Sequence, residues 1–184
     1  LSSDPTALAE SFLPVVGEEP TTLILGSMPG QASLRAQRYY AHPRNVLWPI
    51  LGSLLAFDAA TTAYEERLER AARAGIAFWD VARRCVRPGS LDSAMRAVEP
   101  NDIPGLLAQN PTISRIACNG TKAHDLLTRA FGAALTAEHG SVEILRLPST
   151  SPAHAALPFD AKLEAWREAI APCLRAPNTR SSFA

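Results

Sequence analysis

Residues 22–50 read TLILGSMPGQASLRAQRYYAHPRNVLWPI, and this stretch decides the fold. A short β-rich, apolar run over 21–25 stops at Gly26-Ser27-Met28-Pro29-Gly30. A polar loop follows with Arg35, Arg38 and the pair Tyr39-Tyr40, then His42, Pro43 and Asn45. From 45 to 57 the apolar residues Val46, Leu47, Ile50, Leu51, Leu54 and Leu55 recur at helical spacing. A buried strand that ends in a Gly/Pro-rich loop and leads into a helix is where open α/β sheets place ligands.

The pattern repeats outward from this unit. Apolar strands are predicted over 76–81, 112–118 and 142–147, and helices over 58–75, 121–131 and 159–175. Gly75 is the expected stop of the first of these helices, and Asn101 or Asp102 the cap of a short helix ending at Gln109. Strands alternating with helices imply a parallel sheet covered on both faces, a three-layer α/β/α domain. Residues 82–100 read as an irregular basic segment. At the N-terminus, Asp4 and Pro5 suggest the start of a helix over 4–13, within an N-terminal helical extension of residues 1–20. Residues 176–184 read as a loose tail, and the 184 residues as one domain.

Composition excludes several classes. No apolar run approaches the 18 or so residues of a membrane span. The first residues lack the basic-then-apolar pattern of a signal peptide, so a cytoplasmic protein is expected. Cys85, Cys118 and Cys173 are dispersed, without metal-ligand spacing. Acids and bases balance at 18 each, but they are segregated. Residues 26–50 carry Arg35, Arg38, Arg44 and His42 and no acid, and 83–96 adds Arg83, Arg84, Arg87 and Arg96 against Asp92 alone. A neutral chain can thus present a basic face, although scattered surface charge is the plain alternative.

The loops after the predicted strands converge on one edge of the sheet. They bring Ser27, Met28, Tyr39, Tyr40, His42, Asn45, Asp80, Asp92, Asn119, Ser149, Thr150, Ser151 and His154. There is no Walker lysine, no GxGxxG and no GxSxG elbow in this set. Amides, hydroxyls, aromatics and arginines suit stacking and hydrogen bonding of a planar heterocycle near phosphates. Each element also has a structural reading. GSMPG is a possible tight turn, Asn45 and Asn119 are good helix caps, PSTSP is an ordinary Ser/Pro loop, and the tyrosines are candidates for packing.

From Thr22 to Arg175 the chain resembles the uracil-DNA glycosylase superfamily, and within it the hypoxanthine-DNA (deoxyinosine) glycosylase branch. The resemblance rests on GSMPGQASLRAQRYYAHPRNVLWPIL from Gly26 and LPSTSPAHA from Leu147, with GIAFWDV, RPGSLDSA and CNG between them. It implies a central four-stranded parallel sheet and removal of a deaminated base from DNA, hypoxanthine first, then uracil or xanthine, with no metal or cofactor. It also implies roles. Asn45 orients the attacking water. Tyr40 stacks on the flipped base, and Gly26, Ser27, Met28, Pro29 and Asn119 form its pocket. Ser149, Thr150, Ser151, Pro152 and His154, with Arg44, contact and enter the DNA. Met28 stands where many superfamily members carry a polar water-positioning residue, and His154 where some relatives have Asn. The expected partner is DNA, bound by a monomer. Two other classes stay open on the residues alone: a non-catalytic binder of damaged or abasic DNA, and a small-molecule nucleoside binder.

Overall fold

The computed structural model describes residues 8–88 and 91–175. Its strands are β1 (Leu8–Glu10), β2 (Thr22–Gly26), β3 (Ile76–Asp80), β4 (Ala82–Val86), β5 (Arg96–Pro100), β6 (Arg115–Asn119) and β7 (Glu143–Leu147). The helices are α1 (Gln31–Ala36), α2 (Leu47–Leu55), α3 (Tyr64–Arg73), α4 (Ile103–Gln109), α5 (Thr121–Glu138) and α6 (Phe159–Ile170).

Four strands form a parallel sheet in the order β3-β2-β6-β7. Central β2 is buried along its whole length, which is why it reads as a continuous apolar run and not as an alternating one. Alternation of Cβ directions then sorts its residues between two cores. Ile24, with Ile76, Phe78 and Ala117, packs under α2, α3 and α6 through Leu47, Trp48, Ala71 and Trp166. Leu23 and Leu25, with Ile116 and Cys118, pack under α4 and α5 through Ile103, Leu107, Ala123 and Leu127. Leu23, Ile24 and Leu25 are each fully buried, worth about 2 kcal/mol apiece. The three-layer α/β/α architecture with a four-stranded parallel core is therefore the one the sequence implied. Among the described residues, no helix is long and apolar enough to cross a membrane.

The N-terminal helix and the irregular segment are both corrected. Leu8–Glu10 is a strand, pairing antiparallel with β4, and β4 pairs antiparallel with β5, giving a separate three-stranded sheet β1-β4-β5. The Ala, Leu and Glu of β1 favour a helix intrinsically, but strand pairing with β4 overrides that weak preference. Asp4 and Pro5 lie outside the described residues, as does the tail 176–184. Helix α3 starts six residues later than the predicted 58, because Asp58 folds a turn by accepting from Ala60 N at 2.8 Å and Thr61 Oγ1 at 3.1 Å. Helix α5 runs past Phe131 to Glu138. The caps hold as expected. Asp102 accepts from Gly105 N at 3.0 Å, and Gly75 follows α3 with φ +82°, a left-handed conformation glycine adopts without Cβ strain.

Candidate active site

Register places the site. Gly26 lies beside Asp80 on one side and, one step beyond the Leu25–Cys118 pair, beside Asn119 on the other. All three are last residues of their strands and share the face of Ile24 and Phe78. Glycine leaves a gap in that row. A Cβ on Gly26 would stand 2.3 Å from Asp80 Oδ1 and 3.5 Å from Tyr40 Oη, so the gap is already closed over by a carboxyl and a phenol. No larger residue fits there without displacing them.

The two tyrosines have separate tasks. Tyr39 is buried and structural: its hydroxyl donates to Leu13 O at 3.2 Å, its amide donates to Tyr64 Oη at 2.8 Å, and its carbonyl accepts from Trp48 Nε1 at 3.1 Å. Tyr40 is only half-buried and adopts a left-handed backbone with φ 55°, strain of about 1 kcal/mol for a residue with a Cβ. Its ring lies edge-on to Phe78 and its hydroxyl is buried without a hydrogen-bond partner of good geometry. Burial raises that phenol above the ordinary tyrosine range; the Asp80 carboxyl adds to this and the nearby Asn119 amide acts against it.

The loop 26–30 is held from outside the parallel sheet. Arg87, 1% exposed, donates to the carbonyls of Met28 (3.3 Å) and Pro29, with Asp92 at 3.8 Å. Asp92 accepts from the Ser27 hydroxyl at 2.8 Å. The carbonyls of Gly26, Ser27 and Gly30 accept from Val81, Ala82 and Leu34. With every carbonyl from Gly26 to Gly30 engaged, this loop has N–H groups left to offer a ligand. The Met28 side chain is buried in the core with Leu23 and Leu25, so it faces away from the Gly26 gap and only its backbone can serve a base.

The loop after β7 is tied to the other end of the opening stretch. Asn119 donates from Nδ2 to Thr150 Oγ1 and accepts at Oδ1 from Thr150 N, both at 2.8 Å. Thr150 O in turn accepts from Val46 N at 3.1 Å, so this loop and the HPRN segment are stitched together. Asn45 is half-buried at that junction; its Oδ1 accepts from Leu47 N at 2.9 Å, leaving a second lone pair and the amide N–H groups for another partner. Asn45 thus turns the chain into α2, one residue ahead of its N-cap Val46, and still has chemistry to offer. His42 Nδ1 accepts from Arg44 N at 3.1 Å.

Ser149 and Ser151 brace the loop internally, accepting from Ser151 N and Ala153 N. Thr150 is 1% exposed, and with its hydroxyl and amide both bonded to Asn119 its side chain serves to hold the loop. Pro152 and His154 form a short 3-10 turn that leads to exposed Leu157 and Phe159. Beneath it, buried Lys162 donates to His154 O at 2.7 Å, and burial pulls its pKa down. Trp166 Nε1 donates to Pro148 O at 3.0 Å.

In the sequence Asp80 carries no assigned role, and Arg87 counts toward the basic face and opens RPGSLDSA. A charged residue closing an apolar strand was the only signal for Asp80, and nothing in the residue type marked Arg87 as buried. The basic face is thinner than composition suggested: Arg38, Arg83 and Arg84 pair with Glu65, Glu99 and Glu10. Among the described residues, no group of three or more His, Cys, Asp or Glu is placed to hold a metal ion.

The profile of the uracil DNA glycosylase superfamily matches residues 13–170. A protein of Methanosarcina barkeri named hypoxanthine DNA glycosylase is 36% identical over 125 residues, covering 67% of this chain and 79% of that one. One of the same name from Methanosarcina acetivorans is 35% identical over 127 residues, covering 68% and 80%. The solution NMR structure of a Methanosarcina acetivorans protein, described as a uracil DNA glycosylase, superposes with a TM-score of 0.71 at 32% identity, covering 86% of this chain and 94% of that one. By its fold, its motif order and this match, the chain belongs to the uracil DNA glycosylase superfamily.

Proposed function

We propose that this protein is a DNA repair glycosylase that hydrolyses the N-glycosidic bond of a flipped, deaminated base, with hypoxanthine preferred over uracil and xanthine. The observation that carries the reading is the stitching of Asn45's segment to the loop after β7 through Thr150 and Asn119, at the edge where Tyr40 and Gly26 lie. Motifs about a hundred residues apart are thereby joined into one site. The preference for hypoxanthine rests on the likeness to the two Methanosarcina proteins of that name.

The reaction runs from these residues. Arg44 and the loop 149–154 engage the backbone and the disturbed stack, with Leu157 exposed beside them. Flipping costs a few kcal/mol and least for a poorly paired base, which hypoxanthine opposite thymine is. Tyr40 stacks on the base, and N–H groups of the 26–30 loop meet its edge. As C1′–N9 breaks, the electron pair stays on the purine and Asn45 Oδ1 aligns a water on the sugar. The water oxygen bonds C1′ and its proton ends on the departing base. Asn119, with both ends of its amide on Thr150, shapes the pocket as much as it reads the base.

A monomer acting in the cytoplasm completes the proposal; the three free thiols suit a reducing compartment. The test uses duplexes carrying one hypoxanthine, uracil or xanthine, scored as alkali-labile sites. Cleavage at hypoxanthine is expected, and silence on all three would refute the reading. Asn45→Ala should lower single-turnover release by roughly 10²–10³-fold, the scale of one lost preorganised polar group. Full activity in that variant would remove Asn45 from the mechanism.

A further inference from the structure

Two of the buried polar atoms that lack a partner sit at the carboxyl end of the parallel sheet on the same face: Asp80 Oδ2 and Tyr40 Oη. A Cβ on Gly26 would meet Tyr40 Oη at 3.5 Å and the other oxygen of the same carboxyl, Asp80 Oδ1, at 2.3 Å, so both side chains border that gap. Asp80 is 3% exposed, its backbone carbonyl accepts from Asn101 Nδ2 at 2.9 Å, and its side chain has no structural bond to explain it. Native structures rarely leave a buried carboxyl oxygen unpaired without a task. Asn119, the neighbour on the other side of Gly26, is already bonded at both ends.

We infer that Asp80 is a base-recognition residue, whose carboxyl donates a hydrogen bond at the Gly26 gap to an acceptor atom on the edge of the flipped purine while Tyr40 covers the same gap. This rests on the glycosylase reading above. The donor keeps its proton. It stabilises the negative charge that develops on the purine as C1′–N9 breaks, and a carboxylate there would oppose that charge. The surroundings keep the acid protonated. Desolvation above all, with a smaller push from Asp92 and against the lowering pull of buried Arg87, lifts its pKa to about 8. The other groups facing it are the phenols of Tyr39 and Tyr40, both uncharged at neutral pH because burial raises them. Selectivity follows as well: a donor aimed at the base favours one with acceptors at that edge and rejects one that presents an amino group there.

Single-turnover base release from a deoxyinosine duplex, measured from about pH 6 to pH 10 for wild type, Asp80→Asn and Asp80→Ala, tests this. Thermal melting and binding to abasic duplex are followed in parallel. Wild type should lose about tenfold in rate per pH unit above about 8. Asp80→Ala should fall roughly 10²–10³-fold at neutral pH while still binding abasic DNA. Asp80→Asn keeps a neutral donor, so it should recover most of that loss and lack the alkaline decline. The inference is overturned if folded Asp80→Ala keeps the wild-type rate. It is equally overturned if the decline persists in Asp80→Asn, which would assign it to the substrate's own N1–H. No release by wild type would overturn the glycosylase reading first.

Discussion

The loops after β2 and β7 leave the same edge of one sheet and are built in opposite ways. The first, Gly26 to Gly30, is buried to its last residue but one, and its carbonyls are held by Val81, Ala82, Leu34 of α1 and, foremost, Arg87 just beyond β4. The second is anchored at its base by Asn119, Val46 and Trp166, then rises to an exposed tip at 153–161. A surface that must shape a small planar ligand is held rigidly at every carbonyl. One that must enter a deformable polymer is firm at the root and free at the tip. The second sheet, β1-β4-β5, then acquires a purpose: it delivers Arg87 under the first loop.

The contrast can be broken at four places. Arg87→Met should be the most severe, removing the clamp and leaving Asp80 and Asp92 without their nearby cation. We expect about 3 kcal/mol of destabilisation, read as a lower denaturant midpoint with an unchanged slope. An unchanged midpoint would mean that the first loop holds itself.

Next is pH. Asp80's folded pKa, about 8, lies above its unfolded value of 3.8. Between these values the folded state binds the extra proton, so stability falls as pH rises and levels off above the folded pKa. Urea titrations across this window should show the slope in wild type and lose this contribution in Asp80→Asn.

At the root of the second loop, Thr150→Val keeps the shape and removes the acceptor for Asn119. A cost of about 1–2 kcal/mol is expected, and base release should fall by more than stability alone explains. The smallest effect is at the tip. Lys162→Met removes the bond to His154 O, at a position where burial already pulls the ammonium pKa down. Stability should change by less than about 1 kcal/mol, while KM for duplex rises several-fold and the single-turnover rate holds. A lowered rate with unchanged KM would show that the tip takes part in the chemistry.

Much of this was legible in the residues. The four parallel strands announced themselves as apolar runs because both their faces are covered, and the convergence of their loops followed from strand order. Asn45 and Asn119 were read both as helix caps and as site residues. Neither is the N-cap itself: Val46 caps α2 and Asn45 turns the chain into it by accepting from Leu47 N, while Asn119 holds Thr150 instead of a helix end. The antiparallel sheet was not legible. Its strand ARRCV is half-exposed and bulged, with register shifts on either side of Arg84, so the period-two signal is lost. Arg87 and Asp80 were opaque for a related reason. Burial of a charged side chain is decided by what packs over it from distant parts of the chain, and residue type argues for the surface. Thr150 looked like one hydroxyl among several in a Ser/Pro loop, and only its partners set it apart.

The central claim is that this site cuts a purine from its sugar and leaves both otherwise intact. The direct measurement is chromatographic identification of the product released from a deoxyinosine duplex, counted against abasic sites in the strand. Free hypoxanthine equal in amount to the abasic sites, and lost in Asn45→Ala, is the predicted result. A duplex recovered with its base still attached, however tightly bound, would contradict it.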